Sequence, residues 1–183
     1  MKATGIVRRI DDLGRVVVPK EIRRTLRIHE GDPLEIFTES DGSVVLKKYS
    51  PIGELSEYAR FFSGAIGSVI GRTVVICDKD SVISVGGEHK KEYAEKRISK
   101  ELEKVISNRS PFVRNSRQEG KCIPVFDGED PERLSAQIIR PILCEGQTIG
   151  AVVVLGRGDD RFTDVELKSA EVASVYLGSQ MEQ

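Results

Sequence analysis

The chain has 183 residues, 39% hydrophobic and 31% charged, with a formal net charge of -1, a balance that fits a globular protein of one medium or two small domains. No run approaches the eighteen or so apolar residues of a membrane-spanning helix, and Met1–Gly5 leads into charge, not an apolar signal core, so a cytoplasmic protein without a membrane partner is expected. Cys77, Cys122 and Cys144 are an odd number without a C-x-x-C pair, which argues against a disulfide framework or a metal site and leaves them as small buried hydrophobes.

Charge is unevenly spread. Up to Arg27, the basic residues Lys2, Arg8, Arg9, Arg15, Lys20, Arg23, Arg24 and Arg27 face only Asp11, Asp12 and Glu21, a local excess of +5, so the remainder is net acidic. In chain order, Thr4–Ile10 reads as a strand, Asp11-Asp12-Leu13-Gly14 as a turn and Arg15–Val18 as a second strand. Pro19 suits the first turn of a helix, and Lys20–Leu26 follows with Ile22 and Leu26 on one face. Leu34–Thr38 and Ser43–Lys48 are strands joined through Ser40-Asp41-Gly42. A unit of this size without a staple buries too little apolar surface alone, and Val16-Val17-Val18 and Val44-Val45-Leu46 show apolar side chains on both faces. Both features predict a second copy interleaved with the first.

Ser50-Pro51-Ile52-Gly53 marks a boundary. Beyond it, the spacing of Leu55, Tyr58, Phe62, Ala65 and Val69, widened by Ala59, Ile66 and Ile70, predicts an amphipathic helix over Glu54–Ile70. A hairpin follows at Arg72–Cys77 and Ser81–Val85, then a helix over Lys91–Ile106 broken near Ser99. Strands are expected at Lys121–Phe126, Ala136–Cys144 and Thr148–Leu155. Thr163-Asp164-Val165-Glu166 has capping-box spacing for a last helix running to about Met181. The order of helices and antiparallel strands predicts the α+β class.

The run MKATGIVRRIDDLGRVVVPKEIRRTLRIHEGDPLEIF, with LKKYSPI after the hairpin, closely resembles the swapped-hairpin DNA-binding domain of the AbrB family of transition-state regulators. The remainder, with IGAVVVL near its end, resembles a GAF domain, and the combination is similar to sporulation regulators. The resemblance implies an N-terminal swapped-hairpin β-barrel for dimerisation and DNA binding over residues 1–50, a linker at 51–53, and a GAF-like regulatory and oligomerisation domain over 54–183. It also implies a regulator, activator or repressor, of late, forespore-type sporulation genes that is nucleoid-associated and assembles as a homotetramer through the second domain. Arg8, Arg15, Arg23 and Arg24 fall on the motif's DNA-contacting places, with Lys2, Arg9 and Lys20 as flanking candidates. Arg27 stands where glycine is often found and is given no role.

Arginine suits this task because its planar fork holds two phosphate oxygens or the O6 and N7 edge of guanine. Neutralising six to eight phosphates per dimer would give a slope of log affinity against log salt of roughly -5 to -7. With no long basic recognition helix, specificity is expected to favour A·T-rich or flexible double-stranded DNA. GAF-like domains commonly hold a small ligand, but nothing in the sequence names one, and no cofactor, metal, catalytic or pocket residue is assigned. Two rival readings are a GAF-type methionine sulfoxide reductase or redox sensor using the three cysteines, and an antitoxin-like interaction protein. The strand positions of Cys77 and Cys144 weigh against the first, and the long packed continuation after residue 50 weighs against the second.

Overall fold

In the computed structural model, which describes residues 5–182, the chain divides between Tyr49 and Ser50 into two units. In the first, Pro19 (φ -59°, ψ 147°) stands just ahead of helix α1, Lys20–Leu26, where its missing N–H costs no helical hydrogen bond. The helix ends at Arg27, whose φ of 51° is left-handed, and the Ile28 N–H closes back on the Arg23 carbonyl at 2.8 Å. A left-handed cap favours glycine by about 1 kcal/mol, which accounts for the glycine often found at this place. Strands β1 (Leu34–Thr38) and β2 (Val44–Lys48) pair antiparallel, Leu34 opposite Lys48, and Gly42 turns the loop with a φ of 86°.

The strands expected at Thr4–Ile10 and Arg15–Val18 differ. Thr4 lies outside the described residues, and the others form extended arms on either side of the Asp12–Gly14 turn, with no β-ladder between them among the described residues. A strand needs a neighbouring backbone, and here the backbone bond from the Asp11 N–H to the Arg15 carbonyl, at 3.1 Å, closes the mouth of the turn without extending into a ladder among the described residues. Val7, Ile10, Leu13, Val16 and Val17 are all exposed. Among residues 5–49, Pro19 alone is buried.

The second unit begins with Ser50, whose Oγ accepts from the Gly53 N–H at 3.1 Å and donates to Asp78 Oδ2 at 2.7 Å. Helix α2 (Pro51–Glu54) follows. Residues 51–53 are therefore not a linker, because Ile52 has no exposed surface and sits in the core. Helix α3 covers Ser56–Ile70 and stops at Gly71, φ 64°. Strands β3 (Thr73–Cys77), β4 (Val82–Gly86), β5 (Phe112–Arg114), β6 (Leu134–Cys144) and β7 (Gln147–Arg157) form one antiparallel sheet in the order β4-β3-β7-β6-β5.

Alternation along the strands fills both faces. Val74, Ile76, Ile138, Val152 and Val154 pack with Ile52, Ala59 and, from helix α6 (Asp164–Ser179), Ala170, Ala173 and Leu177. On the other face Val75, Ile139, Val153 and Leu155 pack with Tyr93 of helix α4 (Lys90–Tyr93) and with Leu102 and Ile106 of helix α5 (Lys100–Ser107). Helix α3 lays Ala59, Ser63 and Gly67 on the sheet, closely enough for the Ser63 and Ser84 hydroxyls to bond at 2.7 Å. Tyr58 and Val69, expected to share the inward stripe, face outward, as does Phe61.

The helix expected over Lys91–Ile106 is two short ones, the second capped by Ser99 Oγ accepting from the Leu102 N–H at 3.0 Å. Between them, the Lys96 carbonyl accepts from the Val82 N–H and the Ile98 N–H donates to the Asp80 carbonyl, both at 2.9 Å. The outer edge of β4 is thereby covered. Thr163 and Glu166 form the expected capping box at the start of α6.

On the Tyr93 face lies a buried polar chain. The Tyr93 hydroxyl donates to Glu129 Oε1 at 2.6 Å, and Arg157 donates to the Tyr93 oxygen at 2.9 Å while pairing with Glu92 at 2.8 Å. Burial raises the Glu129 carboxyl above its ordinary range, against the hydrogen bonds from Tyr93 and the Val125 N–H. A raised carboxyl binds its proton more tightly folded than unfolded, so its contribution to stability is full at acid pH and is lost as pH rises through the folded value. Glu129→Gln is expected to flatten this part of the pH–stability curve, measured by urea unfolding between acid and neutral pH. An unchanged slope would remove Glu129 as its source.

Candidate nucleic-acid interface

The charged groups of the first unit hang on two local structures. At the turn, Asp11 acts as a clamp: its Oδ1 accepts from the Leu13 N–H at 3.1 Å and the Arg15 N–H at 2.8 Å, and its Oδ2 takes Arg15 Nε at 2.8 Å. Arg15's backbone and side chain hold the Asp11 carboxyl below its usual range. Arg15 keeps its side chain 70% exposed in this pair, so its remaining guanidinium N–H groups are open to a phosphate or a base edge. Arg8 lies on the preceding arm, exposed, its Nη1 donating to the Val7 carbonyl at 3.2 Å. Arg9 is exposed beside it.

Arg23 and Arg24 occupy consecutive positions of α1, about 100° apart around the axis, and the first is half-buried while the second is exposed. Lys20 is exposed at the start of the same helix. Lys2 lies outside the described residues. The four main arginines thus fall into two pairs, Arg8 with Arg15 around the turn and Arg23 with Arg24 on the helix. Sequence reasoning counted Asp11 only as opposing charge and missed its positioning of Arg15; the Asx-turn signal of an aspartate opening Asp-Asp-Leu-Gly could have found it. Behind the helix, Lys48 is committed elsewhere, donating to the Arg27 carbonyl at 2.8 Å and pairing with Asp32 at 3.2 Å.

The chain is 50% identical to stage V sporulation protein T of Bacillus subtilis (strain 168) over 183 residues, the whole of both chains. Residues 54–182 match the family model described as stage V sporulation protein T C-terminal, transcription factor. The chain belongs to the stage V sporulation protein T family. The family is therefore one of transcription factors, and its first unit here is 61% identical over 51 residues to the transition state regulatory protein AbrB of the same organism, covering 28% of this chain and 52% of that one. Residues 7–54 also match the model described as antidote-toxin recognition MazE, bacterial antitoxin. The second unit shares its fold with the cofactor-binding GAF domain of the nutrient sensor CodY from Clostridium difficile, at 20% identity and a TM-score of 0.50, over 66% of this chain and 82% of that one. The α+β class with an AbrB-like first unit and a GAF-like second follows.

Membership in this family favours neither rival reading. The thiols are also poorly suited to nucleophilic chemistry: burial pushes Cys77 up to about 12. Burial raises Cys122 as well, although Arg114 Nη1 approaches its sulfur at 3.1 Å, and burial with the charges of Glu145 and Glu182 raises Cys144. Raised thiols carry little thiolate at neutral pH. No helix among the described residues is long and apolar enough to cross a membrane.

Proposed function

We propose that this protein binds double-stranded DNA as a dimer through residues 1–50, with Arg8, Arg15, Arg23 and Arg24 as its main contacts and Lys2, Arg9 and Lys20 as flanking ones. The reading makes it a cytoplasmic, nucleoid-associated regulator of late, forespore-type sporulation genes. The observation that carries it is the 61% identity to AbrB across the unit that presents these arginines. The dimer reading is supported by a first unit that buries only Pro19 among its described residues 5–49, too little apolar burial for independent stability. An interleaved partner would cover Val7, Ile10, Val16 and Val17 and complete the barrel.

A homotetramer through the second domain is supported by exposed apolar residues on α3 and α6, where Phe61 is 75% and Val69 82% exposed on the first helix and Val172 and Val175 are exposed on the second. Tyr58, Phe62 and Tyr176 stack there, with ring centroids 4.8 Å apart for Phe62 and Tyr176. Contiguous exposed apolar surface of this kind marks an association site. The second domain would then assemble the protein and sense a small molecule.

Equilibrium titration of the full chain against A·T-rich flexible and G·C-rich stiff duplexes, at several salt concentrations, tests the reading. Preference for the A·T-rich duplex and a slope of roughly -5 to -7 in log affinity against log salt are expected. A flat salt response would overturn the arginine–phosphate interface, and equal affinities would overturn readout by shape.

A further inference from the structure

We infer that the second unit carries a binding site for a compact anion, a carboxylate- or phosphate-bearing small molecule, in the cleft between the loop after β5, the start of β6 and the loop after β7. The cleft has a volume of about 200 Å³, with Arg117 on one wall, Ser135 from β6, and Asp159, Asp160 and Arg161 on the other wall. That is room for several water molecules, enough for a small metabolite.

The walls are built. Arg114 is buried and pins the first of them, its Nε donating to the Ser116 carbonyl at 3.0 Å and its Nη2 to the Arg117 carbonyl at 2.9 Å. The Phe162 N–H donates to the Asn115 carbonyl at 3.2 Å and ties the two walls together. Asp160 is already engaged, by Arg72 at 3.2 Å and by the Arg157 N–H at 2.9 Å.

Two features point to an occupant. Ser135 is 1% exposed, and its hydroxyl has no hydrogen-bond partner among the described residues, a state that costs stability unless something supplies the partner. Arg117 and Arg161 are exposed and, among the described residues, neither makes an ion pair. Two guanidiniums and a hydroxyl donor form a receptor for a carboxylate or a phosphate. Asp159, exposed at the rim, tempers the positive charge that the two guanidiniums bring to the cleft. This site gives the proposed sensing role a ligand class and rests on that role for its biological use; binding itself is tested separately.

The test is calorimetry and thermal unfolding of the full chain with inorganic phosphate and, separately, succinate, with ionic strength held constant by chloride. Saturable binding of at least one anion is expected, and the stronger of the two names the source. Arg117→Gln and Arg161→Gln should each weaken it about tenfold, and Asp159→Asn should strengthen it. Arg8→Gln/Arg15→Gln, which removes DNA contacts, should leave anion binding intact, so failure of the DNA reading and failure of this site are separable. Ser135→Ala should raise the ligand-free Tm by about 2 °C while diminishing the response to the anion. Absence of saturable binding of both anions, or binding that survives the Arg117 and Arg161 changes, would overturn the site. A ligand-free Ser135→Ala protein less stable than the parent would overturn the reading of Ser135 as a donor awaiting a partner.

Discussion

Replacing Arg15 with alanine is expected to lower affinity for a target duplex about a hundredfold and to make the salt slope shallower by about two. A dimer presents the residue twice, and a charged contact to DNA contributes on the order of 1 to 3 kcal/mol, so two contacts at about 1.4 kcal/mol each give that factor. Asp11→Asn makes the sharper comparison. Counting charge alone, loss of an acid from a DNA-facing surface strengthens binding. The clamp that Asp11 makes on the turn, with Arg15 Nε at 2.8 Å, predicts the opposite, a weakening of about tenfold, because a freed Arg15 must be ordered at the moment of binding. Fluorescence anisotropy titrations at several salt concentrations measure both. Tighter binding by Asp11→Asn would leave Asp11 as a mere counter-charge.

The second large effect concerns Gly86. Its backbone is not in the left-handed region, so space alone forbids a side chain there. A Cβ would overlap the Ser63 carbonyl and the Gly64 nitrogen of α3. The helix has little room to retreat along this line, since Gly67 also lies too close to Gly87 for a Cβ and the Ser63–Ser84 hydroxyl bond holds the same turn. Gly86→Val is expected to cost the second unit about 3 kcal/mol or more, read as a lower urea midpoint for that unit. A midpoint equal to the parent's would mean that α3 is not locked to β4.

Much of this architecture could be read from the chain because its signals were local. Continuous runs rich in Val and Ile marked β3, β6 and β7, and the Thr163–Glu166 spacing marked the start of α6. Where the reading failed, the missing information was non-local. Lys121–Phe126 has the composition of a strand, yet its middle is held by a side chain: Gln137 Oε1 accepts from the Ile123 N–H and Gln137 Nε2 donates to the Ile123 carbonyl, both at 2.7 Å. An amide on β6 has taken the place of a neighbouring backbone. Strand β5 carries no such signal, because Phe112–Arg114 is three residues long behind Pro111, too short for alternation to register. In α3 the apolar period was right and Ala59, Phe62, Ile66 and Ile70 meet the core as expected, but the helix is turned so that the small residues Ser63 and Gly67 also lie on the sheet while Tyr58 and Val69 face outward. The arginine positions were legible as a motif, whereas the Asp11 clamp depends on the geometry of the turn.

The sparse interior of the first unit carries a consequence for dosage. If the DNA-binding fold is completed only by a second chain, as proposed above, folding and assembly are one equilibrium whose position depends on how many chains the cell holds. Below the dissociation constant, doubling the supply of chains would raise the amount of competent regulator about fourfold by mass action. Promoters under its control would then respond to the rate of synthesis more steeply than in proportion, with no further component needed to sharpen the threshold.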